Sequence, residues 1–531
     1  MVSDSAMVVS AHPLASEVGI NILKKGGNAV DAAIAVQFAL AVVYPNAGNI
    51  GGGGFMVYRS SEGEIATLDY REKAPSAATK DMYLDEKGEP IQNKSIYGAL
   101  AAGVPGSVDG MTKAFDRYSK LQDWAALVQP AINLARNGYP ASENEAQNLN
   151  SHQEKFNQYN HHKTAFQKSI WNPGDLILQP ELSQTLELIR DQGRKGFYEG
   201  KVADLIVAEM QKSGGIITKE DLSNYQSVWR EPLTTDYRGY KVIMMPPPSS
   251  GGIALAQLLE MVEPYPLSEM KFQNAAAVHL IVEAARRVYA DRAKHLGDPD
   301  FYPVPVRMLM DSSYIALRMS DFNIRKASLS DSSMAGVIES EQTTHFSILD
   351  KYGNAVSLTT TLNGRYGAHT IVQGAGFILN NEMDDLSVKP GSPNMYGLIG
   401  AEANKIEPNK RMLSSMTPTI VEKNGKAVLV VGTIGGSTII TSVFQIIINY
   451  LDFGMSLNEA VQRPRFHHQW KPDVIYVEAN AIKPEDRKIL QIIGHKIEER
   501  EPIGRVEAIA VKNGKIYGAA DHRGDDDAKG Y

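Results

Sequence analysis

Cysteine is absent from all 531 residues. No disulfide can form, and a thiolate nucleophile or a cysteine-ligated metal is excluded, while the compartment stays open. No uninterrupted apolar run reaches the roughly 18 residues that would suggest a membrane-spanning helix. The first residues, Met1-Val2-Ser3-Asp4-Ser5, show no positive stretch followed by an apolar one, so no secretory signal is expected here. Lys/Arg clusters with interleaved aromatics are missing too. With a formal net charge of −7 and a pI near 6.0, nucleic acid and anionic membranes are not the expected partners. No repeat of fixed period runs through the chain. What is present is ordinary for a soluble globular protein, 43% hydrophobic and 22% charged residues. The length exceeds the roughly 100–200 residues of one typical domain, so two domains or one large interlocked unit both fit.

Residues 13–25 carry Leu14, Val18, Ile22 and Leu23 at helical spacing and stop at Gly26-Gly27. Asn28 is a suitable cap for a second helix to about Val43, whose Ala-rich apolar face predicts burial against a sheet. The glycine run Gly51 to Gly54 could cradle a phosphate, but a strand follows it and no Lys-Ser/Thr does, so close backbone packing is expected. Ile65 to Tyr70 reads as a strand ending in Arg71-Glu72-Lys73-Ala74-Pro75. From Gly103 to about Tyr289 the pattern is mostly helical, with segments at 108–118, 124–137, 182–192, 202–214, 253–263 and 275–289. Pro246 to Gly252 marks a rigid turn before a helix. Ser249 and Ser250 there would need an activating base that the sequence does not supply. His161-His162 and His467-His468 lack zinc-type spacing, and adjacent side chains point to different sides, so no metal or cofactor is expected.

The most informative stretch is Thr343-Thr344-His345-Phe346-Ser347-Ile348-Leu349-Asp350. It follows a polar, Ser-rich passage, expected to be a flexible linker over 326–342, and alternates apolar and polar residues with a strand's period of two. The chain turns at Lys351-Tyr352-Gly353 and returns through Ala355 to Asn363, a hairpin whose glycine can take the positive φ of its last loop position. If Asp350 pairs with Asn354, Thr343 faces Thr361, and two hydroxyls sit side by side at the open end. A threonine hydroxyl needs a base. If the chain were cut between Gln342 and Thr343, the new α-amino group, with a reference pKa of roughly 7.7–8.0, could serve.

The order of these residues, with Leu379-Asn380-Asn381-Glu382-Met383-Asp384-Asp385, Pro408-Asn409-Lys410-Arg411-Met412-Leu413-Ser414-Ser415-Met416-Thr417-Pro418-Thr419 and Gly432-Thr433-Ile434-Gly435-Gly436-Ser437, resembles the γ-glutamyltransferase (glutathione hydrolase) family of the bacterial type over nearly the whole chain. The resemblance implies an α+β fold, the N-terminal nucleophile hydrolase four-layer αββα sandwich of two mainly antiparallel sheets. It implies a precursor that cuts itself into a large piece, residues 1–342, and a small piece, residues 343–531, forming a heterodimer in one interlocked catalytic unit. Bacterial members are usually exported, so a periplasmic or secreted location is expected, with the chain trimmed of its leader.

The resemblance also assigns roles. Thr343 would be the nucleophile and Thr361 its hydrogen-bonding partner. Arg71, with Ser414 and Ser415, would hold the α-carboxylate of a γ-glutamyl substrate, a task suited to a guanidinium fork. Asn363, Glu382 and Asp385 would hold the α-ammonium. Gly435 and Gly436, before a helix from Ser437 to Tyr450, are candidates for the oxyanion hole. Lys389 to Gly397 resembles a lid loop in which Tyr396 closes over the pocket, and related acylases lack that loop. The implied substrates are glutathione, other γ-glutamyl compounds, and amino acid or dipeptide acceptors. Two alternatives are an acylase acting on another amide such as a glutaryl side chain, and a γ-glutamyl-binding protein that never matures. The acidic centre of the last residues, Asp525-Asp526-Asp527, departs from the family pattern and leaves the packing of the C-terminus open.

Overall fold

The hairpin around Gly353 lies at the centre of the molecule. A computed structural model describes residues 1–330, 343–500 and 502–531, and the strands that build the site are β1 (Met7–Ser10), β2 (Gly53–Arg59), β3 (Ile65–Asp69), β4 (Thr344–Leu349), β5 (Ala355–Thr361), β6 (Thr419–Lys423), β7 (Lys426–Ile434), β8 (Arg505–Lys512) and β9 (Asp527–Gly530). Asp350 N donates to Asn354 O at 3.0 Å, and Gly353 takes φ +93°. The ladder then runs from Leu349 opposite Ala355 to Thr344 opposite Thr360. One step further sets Thr343 against Thr361, the expected register.

Two seven-stranded sheets result, each antiparallel throughout. The first has the order β9, β1, β4, β5, β2, β3 and Val228–Arg230; the second has Val2–Ser3, Lys515–Ala520, β8, β7, β6, Tyr240–Met244 and Leu233–Tyr237. Both sheets combine strands from before and after Thr343. The period of two sorts side chains between layers. Val8, Met56, Phe346, Ile348 and Leu358 join the core under the helices α1 (Pro13–Lys24) and α2 (Ala29–Val43). Val9, Val57, Leu349 and Ala355 face the second sheet, whose other side is covered by α3 (Gly251–Val262), α4 (Ala275–His295) and α5 (Ile439–Leu451). The sandwich of helices, sheet, sheet and helices is the expected one.

Every residue of α2 is buried, not one face alone. A helix apolar all round belongs inside, and the Asn28–Asp31 capping box closes its start. Three short strands, Val228–Arg230, Leu233–Tyr237 and Tyr240–Met244, interrupt the stretch read as mostly helical; they are edge pieces too short to show a clear period. The segment read as a flexible linker begins in an ordered way. Ala327 N donates to Ile493 O at 2.8 Å, and Ser330 N donates to Asp473 Oδ2 at 2.8 Å. Residues 331–342, with Gln342 of the expected cut, lie outside the described residues. At the C-terminus the acidic centre is partnered. Asp525 accepts from Ser142 Oγ at 2.5 Å, Asp526 pairs with Arg505 at 3.0 Å, and β9 adds to β1. Among the described residues no helix is long and apolar enough to cross a membrane.

Candidate active site

Because β4 starts and β5 ends at the same edge of the first sheet, Thr343 and Thr361 open onto one small cavity. Below them the inward face of the hairpin is polar. His345 lies between Thr359 Oγ1, 2.8 Å from Nδ1, and Ser347 Oγ, 3.0 Å from Nε2. Ser347 Oγ donates to Glu507 O at 2.9 Å, and Ser357 Oγ donates to Val431 O at 3.0 Å. These bonds tie the hairpin to the second sheet. Burial pushes the His345 imidazole down to about 3, so it is neutral. Its ring occupies room that only glycine leaves at 432, where an added Cβ would lie 2.7 Å from Nε2 and nearer still to Nδ1. The glycine run packs closely, as expected: a Cβ at Gly52 would overlap the Thr361 carbonyl oxygen.

Opposite the hydroxyls stands a dense charge cluster. Arg71, two residues beyond β3, is 1% exposed. Its Nη2 is 2.6 Å from Asp385 Oδ2, and its Nη1 is 2.8 Å from Glu382 Oε2 and 3.4 Å from Glu72 Oε2. Three buried carboxyls thus share one guanidinium. Burial lifts Glu72 to about 7, Glu382 well above its ordinary range and Asp385 upward, with Arg71 opposing all three. Water is too scarce here for all three to ionise against a single cation. Burial alone would pull Arg71 down, but Glu382, Glu72 and Asp385 together raise it above its ordinary value. Ser415 Oγ accepts from Arg292 Nη2 at 3.1 Å, and Ser250 Oγ accepts from Arg292 Nε at 3.0 Å. Ser250 Oγ in turn donates to Ser414 O at 2.7 Å, and Ser249 Oγ donates to Met416 O at 2.7 Å. The two turn serines therefore shape the 414–416 backbone.

Asn363 takes a left-handed φ of +73°, which turns the chain back after β5. Its N–H donates to Thr361 Oγ1 at 2.8 Å, and its carbonyl accepts from Tyr396 OH at 2.6 Å. Tyr396 thus fastens the loop 389–397 across the cavity. Asn394 Nδ2, from the same loop, donates to Asp385 Oδ1 at 3.0 Å. At the end of β7, Gly435 and Gly436 take φ +137° and +52°, and a Cβ at Gly436 would lie 2.7 Å from the Tyr396 ring. The sequence-predicted residues Thr343, Thr361, Arg71, Asn363, Glu382, Asp385, Tyr396, Ser414, Ser415 and Gly436 all line this cavity, and Gly435 immediately precedes it. Its free volume, about 20 Å³, holds about one water.

Residues 15–531 match the sequence profile of the family described as Gamma-glutamyltranspeptidase. The chain belongs to this family. It is 46% identical to the glutathione hydrolase proenzyme of Escherichia coli (strain K12) over 528 residues, 98% of this chain and 91% of that one. Among solved structures the fold is similar to a cephalosporin acylase from Bacillus halodurans, with a TM-score of 0.88 and 26% identity over 100% of this chain and 96% of that one. It is also similar to the Helicobacter pylori gamma-glutamyltranspeptidase, with a TM-score of 0.58 and 46% identity over 60% of this chain and 92% of that chain.

Two charged residues beside this cavity escaped sequence reasoning. Glu72 adjoins Arg71 in the chain and could have been suspected from that alone. Arg292 lies on α4, which also buries His279, Glu283, Arg286, Arg287 and Asp291, so nothing in its sequence singled out this cation. As for metals, His467 is engaged by Thr441 Oγ1 at 2.7 Å and Gln469 Oε1 at 2.8 Å. His279, Glu283 and His495 cluster, but His279 Nδ1 and His495 Nε2 are 2.8 Å apart, a hydrogen bond, and Glu283 is held by Arg286 and Arg287.

Proposed function

We propose that this chain is a self-processing threonine-nucleophile γ-glutamyltransferase and glutathione hydrolase, with Thr343 as nucleophile. The observation that carries the reading is the pairing of Arg71 with Glu382 and Asp385 in the cavity that Thr343 and Thr361 enter. A γ-glutamyl group ends in a zwitterion. Its α-carboxylate suits Arg71, Ser414 and Ser415, and its α-ammonium suits Asp385, Glu382 and Asn363. Binding would replace the ion pairs within the cluster by ion pairs to the substrate, so the desolvation of these charges is already met before substrate arrives.

The precursor cuts between Gln342 and Thr343 into a large piece, 1–342, and a small piece, 343–531, that remain one heterodimer. The freed α-amino group of Thr343 takes the hydroxyl proton as Oγ1 attacks the γ-carbonyl; Thr361 orients that hydroxyl. The amide N–H groups at Gly435 and Gly436 would stabilise the oxyanion, each such donor being worth about 2.7–4 kcal/mol of barrier. The C–N bond breaks, the proton passes to the leaving amine, and a γ-glutamyl ester remains. Water then yields glutamate, or an amino acid or dipeptide amine yields a new γ-glutamyl compound. Tyr396 closes the cavity, which limits water and favours transfer.

An acylase acting on a bulkier amide is the second reading, prompted by the full-length likeness to the cephalosporin acylase. The carboxyls of Glu382 and Asp385 beside Arg71 argue for the γ-glutamyl group, whose α-ammonium a glutaryl group lacks. One experiment decides. Wild type and Thr343→Ala are incubated near neutral pH, run on a denaturing gel and assayed with γ-glutamyl-p-nitroanilide and a glutaryl analogue. Two fragments and γ-glutamyl turnover in wild type only are expected. An uncut, inactive wild type, or a preference for the glutaryl substrate, would overturn the reading.

A further inference from the structure

Arg292 reaches the edge of the glutamyl cavity from α4, and the chemistry described so far makes no use of it. Its Nε donates to Ser250 Oγ at 3.0 Å and its Nη2 to Ser415 Oγ at 3.1 Å. The side chain is buried. Burial pulls the guanidinium below its ordinary value, with Tyr289 and Asp385 opposing that pull and Arg71 adding to it; an arginine nevertheless stays charged. Asp385 links the surroundings of the two arginines. It lines the glutamyl cavity with Arg71, and it also lines a narrow cleft with Arg292, Asn394 and Leu398.

A guanidinium donates hydrogen bonds and never accepts them, so the direction of these bonds is fixed. Ser415 Oγ gives a lone pair to Arg292 and keeps its own hydrogen, which among the described residues no group accepts. Ser414 is in the same position: its Oγ accepts from Met416 N at 3.1 Å. Both serines line the cavity. Ser250 differs, because it accepts from Arg292 and spends its hydrogen on Ser414 O; it is a brace. A hydroxyl that accepts from a cation is also a better donor, since bonds in a chain polarise one another. An anion entering the cavity would meet a Ser415 O–H that is uncommitted and strengthened.

We propose that Arg292 is the positioning residue that keeps Ser415 a donor toward the cavity, and that it thereby sets the preference for a donor substrate whose α-carboxylate is anionic over one carrying a neutral group there. The inference rests on the γ-glutamyl transfer reading and gives Arg292 no contact with substrate. Its chemistry is specific to the side chain. Lysine likewise donates without accepting, whereas a glutamine carbonyl can accept the Ser415 hydrogen and withdraw it from the cavity.

The test compares γ-glutamyl-p-nitroanilide with its α-carboxamide analogue, as kcat/KM of chains shown on a gel to have cut themselves. Wild type is expected to prefer the carboxylate donor by about a hundredfold. Arg292→Gln should cut that preference by about tenfold, the worth of one hydrogen bond to a charged group, and Arg292→Lys should retain more of it. Ser250→Ala removes the brace but not the bond to Ser415, so it should stay near wild type. In a Ser415→Ala background, Arg292→Gln should change the preference little further, because the hydrogen it governs is gone. An equal fall for both donors in Arg292→Gln, or a Ser250→Ala chain that loses as much preference, makes Arg292 a brace alone and overturns the proposal while γ-glutamyl transfer stands. If the glutamine chain fails to fold, Arg292→Lys decides: a preference as low as that of Ser415→Ala overturns the proposal. So does equal use of the two donors by wild type. No turnover of either donor by wild type overturns both readings.

Discussion

Adding one methyl group at Gly432 should damage this protein far from any substrate contact. The backbone there is extended and tolerates a side chain, so the effect is one of space alone. The new Cβ would lie 2.7 Å from His345 Nε2 and closer to the rest of the ring. Ordinary contact begins near 3.4 Å, and the ring cannot retreat while it is bonded to Thr359 and Ser347 at 2.8 and 3.0 Å. Overpacking of a filled core costs about 1–3 kcal/mol, and each hydrogen bond given up costs about 1 kcal/mol more. Gly432→Ala should therefore lose about 3–5 kcal/mol, read as a lower urea midpoint with an unchanged slope. Since His345 is two residues from Thr343 on the same inward face, self-cleavage on a gel should slow as well. His345→Ala combined with Gly432→Ala opens the space the methyl needs, so the pair should be less damaging than the sum of the two by at least ~1 kcal/mol. Strict additivity, or a Gly432→Ala chain within about 0.5 kcal/mol of wild type, would refute the argument.

Further outcomes follow from the same geometry. Asp385→Asn removes the principal anion facing Arg71 and should lower kcat/KM for γ-glutamyl-p-nitroanilide by about a hundredfold or more, since breaking a buried charge pair costs about 2–5 kcal/mol; a threefold effect would rule out the ammonium role. Tyr396→Phe loses the bond to Asn363 O, worth about 1 kcal/mol, and product analysis with an acceptor present should show hydrolysis gaining on transfer roughly fivefold. Folded Glu145 holds its proton to about pH 8 because it is buried, against an ordinary value of 4.5. Its contribution to stability is complete below pH 4.5 and lost as pH rises through 8, on the order of 1.4 kcal/mol per unit across that window. Glu145→Gln should remove that slope from urea midpoints measured between pH 5 and 9; parallel curves would contradict it.

The hairpin and the site residues were legible because each rests on local information. A period of two, a glycine at the loop and a fixed count from Asp350 to Thr343 determine which hydroxyls meet. The resemblance then named Arg71, Asp385 and Ser414, and the fold brings them to the same cavity. What stayed hidden depends on distant contacts. Val228–Arg230 and its neighbours became strands by adding to sheet edges whose other members come from residues far along the chain. Arg292 reaches Ser415 from a helix 123 residues away. Residues 326–330 contain no apolar face, yet Asp473 and Ile493 hold them. The bonds that decide such cases are not written in the segment itself.

The last residue of the chain lies beside the fifth and sixth. Tyr531 O accepts from Ser5 N and Ala6 N at 2.8 and 3.2 Å, and β9 lies beside β1. Joining Tyr531 to Met1 through a short linker and opening the chain before Thr343 would thus reorder the polypeptide. Once the initiator methionine is removed, such a permuted chain carries its nucleophilic amine from birth. If it folds and turns over substrate, the zymogen stage is a consequence of gene order rather than of chemistry; if it folds and stays inert, the cut does more than free an amine.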